Sequence, residues 1–595
     1  MRSLFKTWPL SWAVFLPLGI ALTSGIFMGL AAAPVAAWPL AWVALAPLWI
    51  LLVETSQKQE TFALVPRHAA GSALVALVPR LSLGTRFGRL RRLSANSKFL
   101  RGLAWGIGYH GTALFWITGI HPMTWMGVPW LASLAIAIFC WVFITLWGAA
   151  LVAIWATFLF WIFSPRSQAE PGNEHLSKVS GLIRVIIGTA LWCGLEALWS
   201  AGPLWWTSVS YTQSPDNLAI LHLGKISGPS AVTAAIVAVN GLIAEAWMNR
   251  KDAEIAKDQK LFSALLPLLR LNNKYLRLAV GVLVSLHLAG FALYSRPLTQ
   301  QPADALKVGI IQGNIPNEIK LYSEGGRRAI EGYTTGYKTL AEKGVDAVLT
   351  PETALPFVWA KENLQYSSLY QAILDKGVLV WVGGFGRKGL SFTNSLFTVT
   401  GTGEVFSRYD KSKLVPLGEY IPFEEFLGGL INRLSPLDAH LAAGSAKQLL
   451  DTPFGRAIVG ICYESAFAEH FRRQAASGGQ FILTASNNAH YSPSMPAQHH
   501  AQDVMRAIET DRWAVRATNT GYSGIVDPHG RTLWMSGINT YEIHAATIYR
   551  RLSQTLYVRW GDWLTPVLLA VAGIFGLSNT FWKGNKSQTP GRETR

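Results

Sequence analysis

The pattern of apolar and polar positions changes character near residue 300. Before it, long apolar stretches recur with basic stretches between them. After it, short β-branched runs alternate with turns and with polar stretches of helical period, until one more apolar stretch appears near the C-terminus. The apolar stretches cover 9–33, 39–53, 102–120, 131–163, 185–200, 231–247 and 278–294, then 563–577. Most approach the ~20 residues a helix needs to cross hydrocarbon about 30 Å thick, and the shorter ones can draw on flanking residues. The 131–163 stretch has length enough for two passages and is read as one. Ala31-Ala32-Ala33 has the look of a processing site, but the next span follows almost without a gap, so the first is read as retained.

In the second half, strands are predicted at 307–313, 346–350, 378–384, 395–400, 404–409, 457–461, 481–484, 514–518 and 523–526. Gly401-Thr402-Gly403 is a hairpin signal between two of them, and helical stretches include 324–342 and 498–510. Strands interleaved with helices predict an α/β domain whose sheets are covered by helices. The expected organisation is a membrane domain with seven transmembrane helices over 1–300, an extramembrane domain over 301–555, and a C-terminal transmembrane helix with a basic tail over 556–595.

Composition supports this division. Half of the 595 residues are hydrophobic, 25 are tryptophan and only 15% are charged, which is too apolar for an ordinary soluble protein. The net charge of +17 would suit nucleic acid, but it is gathered in the loops between apolar spans, so no nucleic-acid partner is expected. Lys58, Arg67, Arg80, Arg86, Arg89, Arg91, Arg92, Lys98 and Arg101 fall in 54–101. Arg166, Lys178 and Arg184 fall in 164–184, and Arg250, Lys251, Lys257, Lys260, Arg270, Lys274 and Arg277 in 249–277. The stretches 34–38 and 121–130 have no Lys or Arg, and 201–230 has only Lys225. Basic and non-basic loops alternate if seven spans precede the large domain and one follows it. The positive-inside bias then puts both termini in the cytoplasm and 302–562 on the far side. The loop 54–101 reads as a solvated basic linker, with contact to anionic lipid headgroups as an addition. The aromatics of 202–213 read either as interfacial anchors or as the lining of a lipid entrance. Glu196 and Glu245 are the obvious acidic residues in or near the spans, too few for a transport relay.

Three cysteines allow little disulfide framework; Cys140 and Cys193 lie in apolar spans and Cys462 is alone in the polar half. Cys462 ends the run Ala457-Ile458-Val459-Gly460-Ile461, so a turn there can lift its sulfur into a cleft. A lone buried cysteine is more often structural. Glu352 follows the apolar run ending at Pro351, and Lys411 follows the second hairpin strand; either alone would usually be solvated surface. Together the three form a plausible unit. A thiolate attacks, a nearby cation lowers its pKa, a carboxylate takes the proton, and the ammonium steadies an oxyanion.

Pro351-Glu352-Thr353, Tyr409-Asp410-Lys411 and Ile461-Cys462-Tyr463-Glu464 resemble the Glu-Lys-Cys triad of the nitrilase superfamily. More specific are Leu414-Val415-Pro416-Leu417-Gly418-Glu419-Tyr420-Ile421-Pro422, Gln312-Gly313-Asn314-Ile315-Pro316 and Arg516-Ala517-Thr518-Asn519-Thr520-Gly521. With the topology, the chain resembles the bacterial apolipoprotein N-acyltransferases over nearly its whole length. The resemblance implies about eight transmembrane helices plus a nitrilase-like α-β-β-α sandwich, in the bacterial inner membrane with the catalytic domain periplasmic. It implies a phospholipid acyl donor, a diacylglyceryl apolipoprotein acceptor, surrounding membrane lipids and no cofactor. Cys462 is then the nucleophile, Glu352 the general base and Lys411 the oxyanion stabiliser. Glu419, Tyr463, Glu464 and Asn394 match further residues of the family's site. A membrane-tethered amidase and a non-catalytic lipoprotein-binding scaffold are the rival readings.

Some positions depart from the family pattern. Ser486-Asn487-Asn488-Ala489-His490-Tyr491 stands where Ser-Asn-Asp-Ala-Trp-Phe is usual, Lys413 where histidine is common, and Leu321 where a tryptophan is often found. His490, His499 and His500 are not read as a metal cluster, because no Cys or Asp accompanies them at zinc-like spacing.

Overall fold

Apolar sequence in a hydrocarbon slab must satisfy its peptide groups internally, and the first half does so as helices. The computed structural model describes residues 10–53, 83–163, 181–255, 273–359, 365–416, 418–420, 441–489 and 491–584. The longer helices of this half are α1 (Leu10–Leu30), α2 (Leu83–Ala113), α3 (Trp130–Phe163), α4 (Gly181–Ala201), α5 (Pro229–Ile255) and α6 (Lys274–Tyr294). Among the described residues, four helical stretches are long and apolar enough to cross a membrane: Trp130–Phe163, Gly181–Ala201, Pro229–Asn249 and Lys274–Tyr294. They match the expected spans at 131–163, 185–200, 231–247 and 278–294, with the first as one continuous helix. Shorter apolar helical stretches, Phe15–Leu30, Trp38–Val53 and Leu564–Phe575, fall on three further expected spans. This is the architecture of a membrane protein.

The expected span 102–120 is the exception. Helix α2 starts at Leu83, inside the stretch read as a basic linker, and ends at Ala113, after which Phe115–Ile120 forms a 3-10 turn. Lys98 and Arg101 on α2 are buried rather than solvated. Lys98 Nζ donates to the Leu51 and Leu52 carbonyls and Arg101 Nη1 to that of Leu51, so the two cations cap the carbonyl end of the preceding helix. The bundle is drawn tight by small residues. A Cβ at Gly25 would meet the Trp105 carbonyl, and one at Gly106 would meet Ala149 at 2.5 Å, so α1, α2 and α3 touch at backbone distance. The two acidic residues are both satisfied locally: Glu245 pairs with Arg184 at 2.6 Å, and Glu196 accepts from Trp192, Ser208, Val209 and Thr233.

Beyond α6 the chain alternates β1 (Ala305–Gln312), α7 (Ser323–Glu342), β2 (Ala347–Leu349), α8 (Ser368–Lys376), β3 (Leu379–Lys388), β4 (Ser391–Val399) and β5 (Val405–Asp410). It continues through β6 (Leu450–Thr452), β7 (Gly455–Ile461), α9 (Ala468–Ala476), β8 (Phe481–Ser486), α10 (Ser494–Thr510), β9 (Ala514–Thr518), β10 (Gly524–Val526), β11 (Thr532–Met535) and β12 (Glu542–Tyr549), and α11 (Leu564–Gly584) follows. Two six-stranded sheets result, ordered β12-β1-β2-β3-β4-β5 and β11-β10-β9-β8-β7-β6. The predicted strands are all present, and the Gly401–Gly403 turn joins β4 to β5.

Period-two alternation decides which side chains meet. Val308, Ile310, Leu349 and Trp381 of one sheet pack on Val459, Ile461, Leu483 and Val515 of the other. Their sequence neighbours Ile311, Val348 and Val380 face α7 and α8, while Ile458, Ile482 and Ala514 face α9 and α10. The order of layers is therefore helix, sheet, sheet, helix. Nearly every residue of α10 is buried, because its outer face meets the membrane domain. Gln498 is the clearest joint: its Oε1 accepts from the indoles of Trp116 (3.0 Å) and Trp206 (2.8 Å), and its Nε2 donates to the Ala33 and Ala113 carbonyls.

Candidate active site

Each chemical side chain leaves the end of a strand or the turn just beyond it. Cys462 follows β7 with φ +50°, and Thr353, next to Glu352 beyond β2, has φ +43°. Left-handed backbone at non-glycine residues costs energy and collects at functional sites. Lys411 follows β5, Asn394 lies on β4, and Glu419 comes from the loop beyond Val415.

These residues meet in one buried network. Lys411 Nζ lies 2.9 Å from Glu352 Oε1 and 2.9 Å from Glu419 Oε2. Asn394 Nδ2 donates to the same two carboxylates, at 2.7 Å to Glu352 Oε1 and 2.9 Å to Glu419 Oε1. The backbone of Asn487 joins the carboxylate to the thiol: its N donates to Glu352 Oε2 at 2.8 Å, and its O lies 3.9 Å from Cys462 Sγ. Lys411 and Cys462 are 1% and 6% exposed, so the network operates at low dielectric.

Burial raises the Glu352 carboxyl, but the Lys411 ammonium and its hydrogen bond outweigh that and hold it below the usual carboxylate range. Burial likewise works against the Lys411 charge, yet Glu352 and Glu419 raise its pKa above the ordinary lysine value. The Cys462 thiol is pushed up to about 12, by burial first and the Glu352 charge second, with Lys411 opposing. As expected, the Lys411 cation lowers the thiol, but burial and the charges of Glu352 and Glu419 outweigh it. The charge arrangement favours a neutral thiol beside an ionised carboxylate.

The matched neighbours divide by task. Glu464 is fully buried and accepts from Ser412 N, Ser412 Oγ, Lys413 N, Ile461 N and Tyr409 OH. It binds the turn beyond Lys411 to the turn holding Cys462. The Tyr463 hydroxyl donates to the Pro203 carbonyl at 2.7 Å and accepts from Trp205 N at 2.9 Å, and its ring stacks on Trp206 at 6.1 Å and 4°. The aromatics of this loop, Trp205, Trp206 and Tyr211, are buried among the described residues. Trp205 and Trp206 are buried with Trp116, Phe467 and Met495 beneath the turn that holds Cys462.

Sequence reading missed Lys320, the Asn487 backbone and Gln498; each looks like an ordinary polar residue until its distant partner is seen. The longer strings turn out to be clasps. Gln312 Oε1 accepts from the hydroxyls of Ser523 and Ser536, Asn519 pairs with both backbone groups of Ile315, and Arg516 reaches Ser465 and Ser486 while paired to Asp503. His499 bonds the Cys462 carbonyl at 2.7 Å and His500 the Thr532 hydroxyl at 2.8 Å. Asn488 lies between Met495 and His499, Tyr491 packs edge-on against Trp116, and Leu321 is 40% exposed. His490, Leu417, Ile421, Pro422 and, of the basic-loop residues, Lys58, Arg67, Arg80, Arg166, Lys178, Lys257, Lys260 and Arg270 lie outside the described residues.

A family model described as carbon-nitrogen hydrolase matches residues 307–556, and one described as apolipoprotein N-acyltransferase N-terminal domain matches 61–242. An apolipoprotein N-acyltransferase of Nostoc sp. is 59% identical over 513 residues, covering 86% of this chain and 96% of that protein. The chain belongs to the apolipoprotein N-acyltransferase family. A Synechocystis sp. apolipoprotein N-acyltransferase is 52% identical, over 80% of this chain and 89% of the relative. Among solved structures, a nitrilase-superfamily amidase of Nesterenkonia sp. AN1 is 18% identical with a TM-score of 0.32, covering 44% of this chain and 96% of the amidase. As a member of the apolipoprotein N-acyltransferase family the chain is an acyltransferase. Its two-sheet domain is the carbon-nitrogen hydrolase part, and the buried network lies at that domain's contact with the membrane helices.

Proposed function

We propose that the chain transfers a fatty acyl chain from a membrane phospholipid to the α-amino group of S-diacylglyceryl-cysteine at the start of an apolipoprotein, through a thioester on Cys462. One observation carries this reading. A thiol, an ionised carboxylate and a shared ammonium form one buried network, and the nucleophile's own turn is bonded to the aromatic loop of the membrane domain.

In the first half-reaction Glu352 takes the thiol proton as Cys462 Sγ attacks the acyl ester carbonyl. Lys411 faces the developing oxyanion. The carbon–oxygen bond to the lysophospholipid breaks, and the leaving alkoxide collects the proton from Glu352. In the second half-reaction the acceptor amine attacks the thioester, Glu352 takes the amine's proton, and the sulfur leaves and is reprotonated. Glu419 and Asn394 hold Lys411 and Glu352 in place, Glu464 fixes the two turns, and Tyr463 docks the nucleophile on the membrane loop. A thioester keeps the acyl group activated without ATP.

The proposed organisation is seven transmembrane helices in 1–300, the catalytic domain in 301–555 and an eighth helix with a basic tail in 556–595. The proposed setting is the bacterial inner membrane with the catalytic domain in the periplasm, in line with the alternation of basic loops. Mass spectrometry of a lipoprotein N-terminus from cells with and without the chain tests the reading. Triacylated N-termini that vanish with the chain, and with Cys462→Ala, are expected. Free acid with ammonia would make it an amidase; an unchanged N-terminus in both strains would leave only a scaffold.

A further inference from the structure

Lys320 ends the short helix Asn317–Lys320 and is 4% exposed. Its backbone is held down by the first turn of α7: a Cβ on Gly325 would strike the Ile319 carbonyl and come within 2.6 Å of Lys320 Cα. The ammonium is thereby kept inside. It donates to the Glu352 carbonyl oxygen at 3.1 Å, and among the described residues that is its one hydrogen bond, with no carboxylate in ion-pair contact. An ammonium has three donors and is strongly hydrated in water, so burial with one acceptor is costly. A clasp for one carbonyl would be met more cheaply by a neutral amide.

Charge gives the burial a purpose. Glu352 and Glu419 bring two negative charges to the network and Lys411 one positive, a surplus of one negative beside the thiol. Ionising Cys462 adds another. The titratable groups around it are Glu352, Lys411, Glu419, Lys320, Tyr491 and His499, while Glu318 on the helix of Lys320 is exposed. Of these, Lys320 is the remaining cation, and Glu352 and Cys462 are the charges that act on it.

We propose that Lys320 is a positioning residue of the active site, whose ammonium balances the surplus carboxylate charge around Cys462 and so sets how readily the thiol gives up its proton. The inference rests on Cys462 being the nucleophile. Burial with a single acceptor also brings Lys320 itself down to about 8, so its charge weakens on the alkaline side of neutrality.

The test is the rate at which iodoacetamide alkylates Cys462 in the full-length protein in detergent, read between about pH 6 and pH 10 from the mass of the Cys462 peptide. Lys320→Gln keeps an N–H for the Glu352 carbonyl and loses the charge. Its rate should fall about tenfold at pH 7, the equivalent of one pH unit along the rising limb, with the gap narrowing above about pH 8 as the wild-type lysine itself loses its charge. Lys320→Arg should follow the wild type below about pH 8 and react faster than it above, where the lysine loses its charge and an arginine keeps it. Glu419→Gln removes one carboxylate from the opposite side of the balance and should move the curve to lower pH, a result that does not depend on any Lys320 variant folding. Superimposable wild-type and Lys320→Gln curves, or an unmoved Glu419→Gln curve, overturn the proposal while leaving the acyltransferase reading intact. A wild-type Cys462 that resists alkylation at every pH removes the nucleophile assignment and this inference together.

Discussion

The Glu464 carboxylate accepts from both the backbone N and the hydroxyl of Ser412, each at 2.7 Å. Glu464 stands two residues after Cys462 and Ser412 one after Lys411, so a single buried side chain sets the spacing between the thiol and the ammonium. Glu464→Ala strands five donors, among them Ile461 N and Tyr409 OH. The expected cost is on the order of 3 kcal/mol of stability, together with loss of turnover. Thermal unfolding in detergent checks the first, and acyl transfer at a temperature where the variant is folded checks the second.

Glu352→Gln keeps the volume of the side chain and an oxygen for Lys411, but it cannot take the thiol proton. Thioester formation on Cys462 should slow by at least about a hundredfold, the usual worth of a general base. Intact-protein mass after mixing with phospholipid vesicles gives the rate. Near wild-type formation would remove Glu352 from its role. Cys462→Ala should form no adduct at all, and Cys462→Ser at most a trace.

The positions of Glu352, Lys411 and Cys462 were legible because each follows a predicted strand, where the pattern alone says that the chain leaves a sheet. Their state was not. The thiol is raised by burial first and the Glu352 charge second, with Glu419 adding from a separate loop, and nothing local to Cys462 shows those contacts. Strand β12 escaped notice because Glu542–Tyr549 pairs with β1 along one edge, with a half-buried face that blurs its alternation. The helical start of α2 was hidden by its own charge. Lys98 and Arg101 read as solvated until the Leu51 and Leu52 carbonyls are placed against them. Gln498 shows the same difficulty at its largest, since its four partners come from three separate stretches of the membrane domain.

The pH profile should separate this site from one with a standing thiolate. With the thiol at about 12, alkylation of Cys462 by iodoacetamide should keep rising with pH through the ordinary thiol range near 8.5, without a plateau below about pH 9. Acyl transfer should behave differently, because in the proposed mechanism the thiol proton goes to Glu352. Glu352 is held below the usual carboxylate range, so activity should fall only once pH drops under about 4. A plateau of alkylation near pH 7 would mean a preformed thiolate and would contradict the charge arrangement described.

Asp511 gives the joint between the domains its own pH signature. It lies just beyond α10 and pairs with Lys225 of the membrane domain at 2.8 Å and with Arg551 at 2.6 Å. Burial raises its carboxyl, but Lys225, Ser553 and Arg551 outweigh that and bring it to about 2. A carboxyl lowered in the folded state favours folding above its unfolded value near 3.9, and the contribution is lost as pH falls from there through about 2. The lowering corresponds to about 2 kcal/mol at neutral pH. Lys225→Met should therefore unfold at lower temperature than the wild type at pH 7, with the gap closing as pH approaches 2. A gap that persists undiminished into acid would mean that Lys225 works through packing rather than through its charge on Asp511.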